Sequence, residues 1–137
     1  MNRVDLQQLA ELRLREAEAL LAAECWDGAY YLCGYAVECG LKACIAKMTR
    51  EHDFPDKKLV DASYTHKLLE LVKIVGLKDA LEERCIEEPR FESYWSTVSN
   101  WREGVRYERH AEQKARALIQ AVGDPQQGVL SWLKGLW

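Results

Sequence analysis

Two groups of side chains in this sequence have the types and spacing to do chemistry. The first is a carboxylate and an ammonium four residues apart, Glu38 and Lys42, inside the otherwise apolar stretch "YYLCGYAVECGLKACIAK". On a helix they stand one turn apart with the glutamate first, the favourable order for an ion pair. Tyr31 and Tyr35 share their face. On an exposed surface such a pair contributes a few tenths of a kcal/mol, whereas a buried charge left without a partner costs several kcal/mol. The face is therefore either a structural ion pair at a bundle rim or subunit interface, or a groove lined by Tyr31, Tyr35, Glu38 and Lys42 that takes a ligand.

The second group is "WREGVRYERH". From Trp101 to Arg116 the chain carries five basic residues (Arg102, Arg106, Arg109, Lys114, Arg116) against Glu103, Glu108 and Glu112. This is either a solvated helix start or an anion site in which Arg106 and Tyr107 reach toward Lys42. Because each group supplies the charge that the other lacks, Glu38 is expected to orient Arg106 or Lys42 across the fold.

These residues must be held by helices. From Val4 to about Ala23, apolar residues recur at intervals of three and four, the mark of an amphipathic helix. "CWDG" interrupts it, with Asp27 placed to cap a second helix running to about Arg50. On the second helix Cys33, Val37, Leu41, Cys44 and Met48 make an apolar stripe. Ala29, Ala36, Gly40 and Ala43 make a small-residue face, and the charged face holds Tyr31, Tyr35, Glu38, Lys42 and Ile45. A helix with something to bury on every side is a central helix.

"EHDFPDKKLVDASYT" reads as a loop, and Ser63 or Thr65 can cap "HKLLELVKIV", which Gly76 ends. "KDALEERCIEE" is a short fourth segment and Pro89 opens "RFESYWSTVSNW". A break near Gly104 leads into "HAEQKARALIQAV", stopped at Gly123. Asp124 and Pro125 would start a last helix as cap and first residue. No alternating run is long enough for a strand. The expectation is one all-α domain over residues 1–137, an antiparallel up-and-down bundle of four main helices with short additional ones.

Composition narrows the function. The chain of 137 residues is 48% hydrophobic and 30% charged, with a formal net charge of -3. That balance suits a packed domain and disfavours wrapping a long polyanion. No apolar run approaches a membrane span and the N-terminal helix lacks the apolar core of a signal peptide, so a cytoplasmic protein is expected. The five cysteines include no CxxC; they read as reduced, buried structural thiols, with zinc or redox work the lesser reading. The five tryptophans are expected to pack on the bundle or on a second subunit rather than on a membrane. There is no Glu-x-x-His pair for a di-iron centre, no phosphate-cradling glycine loop and no Gly-x-Ser-x-Gly elbow. No metal or cofactor is implied.

The stretch "EAEALLAAECWDGAYYLCGYAVECGLKACI" resembles the helical pair of HEPN domains, in which an Ala-rich helix precedes a pattern matched here by Ala29, Tyr30, Tyr31, Tyr35, Ala36, Glu38, Leu41, Lys42 and Ala43. "NWREGVRYERH" and "GDPQQGVLSWLKGLW" resemble the C-terminal part of the standalone bacterial members. The resemblance implies an up-and-down bundle of four to five helices, of a kind that usually dimerises. It further implies one of two functions: partner of a minimal nucleotidyltransferase, in a toxin-antitoxin-like module or as a nucleotide-binding subunit, or metal-independent RNase. The RNase signature is an Arg followed after four to six residues by a His. The His would move the proton of a ribose 2′-OH or of the leaving oxygen, and the Arg would hold the phosphate.

Here seven residues separate Arg102 from His110 and three separate Arg106 from it, so neither fits that signature. Arg106 and His110 would nonetheless share a helix face. His52 is expected in a charged loop, and His66 as a structural residue at a helix start. The reading that follows is a non-catalytic, homodimeric HEPN-like binding subunit using Tyr31, Tyr35, Glu38, Lys42, Arg106 and Tyr107. The alternatives are an RNase using Arg106, His110 and Arg102, and a structural dimer without ligand.

Overall fold

The computed structural model describes residues 1–49 and 53–137; His52 lies outside them. The described residues form eight α-helices and one 3₁₀ turn, with no strand among them. The helices are α1 (Arg3–Ala22), α2 (Trp26–Met48), α3 (Lys57–Ala62), α4 (Leu68–Ile74), α5 (Lys78–Glu87), α6 (Pro89–Ser99), α7 (Glu112–Gly123) and α8 (Val129–Lys134). The 3₁₀ turn, Glu103–Tyr107, lies between α6 and α7. Among the described residues no helix is long and apolar enough to cross a membrane.

Helix α1 starts on a reciprocal cap in which the Asn2 side chain accepts from the Asp5 amide and Asp5 accepts from the Asn2 amide, each at 2.9 Å. It ends in a Schellman turn: the Cys25 amide donates to the Leu20 carbonyl at 2.8 Å and the Glu24 amide to the Leu21 carbonyl at 3.1 Å. That turn needs a left-handed residue, and Glu24 takes the role at φ 61°. Helix α4 ends the same way, but there Gly76 supplies the conformation at φ 73°, at no steric cost.

The short turn folds α2 back along α1, and α2 also packs against α4, α7, α8 and the 3₁₀ turn. Thirteen of its residues are buried, from all three faces, so the central helix expected from the sequence is present. Two of its glycines allow close approach. A Cβ at Gly34 would run into the Trp101 ring, and one at Gly40 would press on Leu133 and Leu130 of α8. Helix α7 buries Ala115, Leu118, Ala121 and Val122, one stripe at helical spacing. Phe91 of α6 meets Trp132 of α8 edge to face at 5.4 Å, and Trp26, Trp95 and Trp137 pack on the same core.

Several local expectations are corrected. The stretch expected as a loop before Ser63 contains α3, capped by the Asp56 side chain. Asp27 does not cap α2, whose first residue is Trp26; its carboxylate instead accepts the backbone amide of His110. Asp124 and Pro125 do not open the last helix. Asp124 accepts from the amides of Gln126 and Gln127 in a turn, and α8 starts four residues beyond Pro125. Cys25 is exposed, whereas Cys33, Cys39 and Cys44 are buried and all five thiols are free.

Candidate functional site

The charged face of α2 is built around Glu38, of which only 1% is exposed. Its Oε1 accepts from two directions. Lys42 Nζ, one turn along the same helix, lies at 2.9 Å, and His66 Nδ1 lies at 2.8 Å. Because an ionised carboxylate can only accept, His66 carries a proton on Nδ1 in this bond. The other ring nitrogen of His66 faces Glu103 Oε2 at 3.6 Å, and Glu103 Oε1 pairs with Arg106 Nη1 at 3.2 Å. The result is a ladder, Lys42–Glu38–His66–Glu103–Arg106, in which two carboxylates alternate with a lysine, a histidine and an arginine. It ties α2 to the segment before α4 and to the 3₁₀ turn.

Local structure explains how each rung is presented. Thr65 Oγ1 accepts the Lys67 amide at 3.2 Å and donates to Glu70 at 2.7 Å, fixing the turn that carries His66. These contacts, with Lys67, hold the Glu70 carboxyl below its ordinary value. Trp101, buried against Gly34, anchors the start of the 3₁₀ segment to α2, and Tyr31 stacks on it with centroids 6.2 Å apart. Arg106 lies over the Tyr107 ring at 4.8 Å, and Tyr31, Tyr107 and Glu103 push its pKa still higher. Burial first, then the Glu38 charge, pushes the Tyr35 hydroxyl up. Among the described residues, the buried Glu38 Oε2 and Trp101 Nε1 beside this ladder have no hydrogen-bond partner.

The expected cross-fold contact of Glu38 thus takes a different form. Lys42 is a direct partner, as anticipated, but the partner from outside α2 is His66, and Arg106 joins only through Glu103. His66 and Glu103 are the two members that sequence reasoning missed. The available signal was the need itself, since a carboxylate in a central helix requires more than one cation on its own helix.

The structure separates the members of the Arg/His set. Arg106 lies in the 3₁₀ turn and His110 in the non-helical segment before α7, so the two do not share a helix face. His110 is only 7% exposed. Its ring stacks on Tyr30 with centroids 4.2 Å apart, and Nε2 donates to the Val105 carbonyl at 3.0 Å. Its Nδ1 is buried and has no partner among the described residues. Lys114 lies over the Tyr30 ring at 4.8 Å. Arg102 is exposed and pairs with Glu108. Among the described residues no group of His, Cys, Asp and Glu could hold a metal ion.

Beyond Lys42 the surface opens into a groove of about 820 Å³ between the first turn of α1, the last turns of α2 and α3. Lys42 is the one member of the ladder that lines it. Tyr31, Tyr35, Glu38, Arg106 and Tyr107 do not, so the groove expected on the charged face lies to one side of it. No protein-family model, curated protein or solved structure matches the chain.

Proposed function

We propose that this chain is a non-catalytic, homodimeric HEPN-like binding subunit of the cytoplasm. Its ladder face engages a nucleotide-like ligand or the minimal nucleotidyltransferase that presents one. The observation that carries the reading is the position of the pattern residues. Tyr31, Glu38 and Lys42, on which the family resemblance rests, meet Arg106 and Tyr107 in one network at the protein surface. Arg106 and Tyr107 remain exposed there, a guanidinium beside an aromatic ring, a combination that suits a phosphate joined to a base. His110, by contrast, is committed to the Val105 carbonyl and the Tyr30 ring, which leaves the Arg/His set without an accessible base.

The test is titration of purified protein with ATP by calorimetry, beside incubation with a mixed RNA pool in excess chelator. The expected result is nucleotide binding weakened about tenfold by Arg106→Ala, the loss of roughly 1.4 kcal/mol from a charge-assisted contact, with RNA left intact. RNA cleavage lost in both Arg106→Ala and His110→Ala, with the variants folded, would replace this reading by the RNase. Neither binding nor cleavage, and no nucleotidyltransferase held in solution, would leave a structural bundle.

A further inference from the structure

The groove beside the ladder has a chemical character of its own. Its described lining combines apolar side chains, among them Leu6 of α1, Ile45 of α2 and Leu59 of α3, with three cations, Arg3, Lys42 and Lys47. In a chain where Asp+Glu outnumber Lys+Arg by 22 to 19, none of the described lining residues is acidic. The volume of about 820 Å³ falls within the range of small-molecule sites.

Among the described residues the cations have spare capacity. Lys47 Nζ uses one hydrogen-bond donor on the Leu136 carbonyl at 3.0 Å, Lys42 Nζ uses one on Glu38, and an ammonium has three. Helix α3 supplies a second, independent observation. It buries none of its six residues, and Val60 on it and Tyr64 just after it, both lining the groove, are 37% and 75% exposed. A helix this short gains little from its own hydrogen bonds and depends on packing, so an apolar cover over Leu59 and Val60 would stabilise it.

We propose that this groove binds an amphipathic anion, a single-chain fatty carboxylate whose tail lies along Leu6, Ile45, Leu59 and Val60. Its head group is held by Arg3, Lys42 and Lys47. The charge complementarity selects an anion, and the apolar lining residues Leu6, Ile45, Leu59 and Val60 select one that carries a hydrocarbon tail. The site is separate from the Arg106–Tyr107 face and does not depend on the nucleotide reading. Lys42 joins the two, since a carboxylate drawing its ammonium outward competes with Glu38 for it.

The test is calorimetric titration with decanoate, acetate and decyltrimethylammonium, on the wild type and on Val60→Asp, Arg3→Glu and Lys47→Glu, each checked for an unchanged helical spectrum. Decanoate should bind, acetate and the cationic amphiphile should not, and each variant should weaken decanoate about tenfold or more. Equal binding of the cationic amphiphile would overturn the charge argument, and equal binding of acetate would overturn the apolar one. Decanoate binding indifferent to all three variants would place it elsewhere and end the proposal. Absence of decanoate binding, with a concentration-dependent dimer broken by Val60→Asp, would assign the groove to a second copy of the chain instead.

Discussion

His66 Nδ1 sits 2.8 Å from Glu38 Oε1, joining a residue of the segment between α3 and α4 to the middle of the central helix. Glu38 is buried, while the His66 side chain is 42% exposed, so the pair spans the boundary between core and solvent. Lys42 meets the same oxygen, so among the described residues Glu38 has two donors on Oε1 and none on Oε2. Removing either donor leaves a buried carboxylate short of compensation.

His66→Ala should lower stability by about 1 kcal/mol, a hydrogen bond to a charge discounted for exposure. In a Glu38→Gln background the same substitution should cost less, because a buried neutral amide loses less than a buried carboxylate when a donor is removed. Urea unfolding of the four proteins closes the cycle, and a coupling of zero would mean that the contact contributes nothing.

Gly34→Ala should be among the most damaging single changes outside the apolar side chains. The added methyl has no room beneath Trp101, and overpacking of this kind costs about 1–3 kcal/mol. Displacing Trp101 also frees the 3₁₀ turn, so Trp fluorescence should shift together with the loss in melting temperature. A variant of unchanged stability would show that the ring is not pressed on that backbone.

Glu24→Gly should stabilise the protein. Glu24 holds a left-handed conformation that costs a residue with a Cβ about 1 kcal/mol, and Gly76 shows the low-cost solution in the equivalent turn after α4. The measurement is the urea midpoint, with a rise of the free energy by about 0.5–1 kcal/mol expected.

The thiols give the alkaline limb of stability. Burial pushes Cys39 and Cys44 each up to about 11, and Cys33 higher still. A thiol raised on folding contributes stability that is whole below its unfolded value and is lost as pH rises from there toward the folded value. Each such group therefore costs up to about 1.4 kcal/mol per pH unit across that window. Cys39→Ala should shallow that slope between the ordinary thiol value of 9.0 and about 11. In the native state near neutral pH, Cys25 alone is exposed and should be labelled fast by a thiol reagent.

At the acid end the sign reverses. The amides of Gln127 and Gln126 hold the Asp124 carboxyl below its ordinary value. Its contribution is present above that value and is lost as pH falls through the depressed one. Asp124→Asn should therefore flatten the acid limb of an unfolding series, and a limb of unchanged slope would assign acid sensitivity to other carboxylates.

The long periodic segments were legible in the sequence because one-sided burial at a 3.6-residue period leaves a direct trace, as α1, α2 and α7 illustrate. Gly76 announced its turn for the same reason of local chemistry. Glu24 did not, because nothing in its type marks a left-handed residue. Helix α3 was missed because it buries no side chain and so has no periodic stripe to betray it. The need of Glu38 for a partner was legible; the identity of that partner was not, since His66 is brought to it by a turn 28 residues away. His110 read as a candidate base from its neighbours in sequence, and its packing on Tyr30 is a tertiary fact that no local spacing encodes.

Helix α2 draws its covering from both ends of the chain, with α7, α8 and the Lys47 contact to the Leu136 carbonyl all arriving late. A polypeptide is made from its N-terminus, so α2 leaves the ribosome well before the helices that seal it exist. Until then the hairpin of α1 and α2 lacks the cover that α7 and α8 supply, as at Gly40, which Leu133 and Leu130 approach in the finished fold. Translation thus opens an interval in which this segment is open to chaperones, or to another nascent copy, and that interval closes only when α8 has been made.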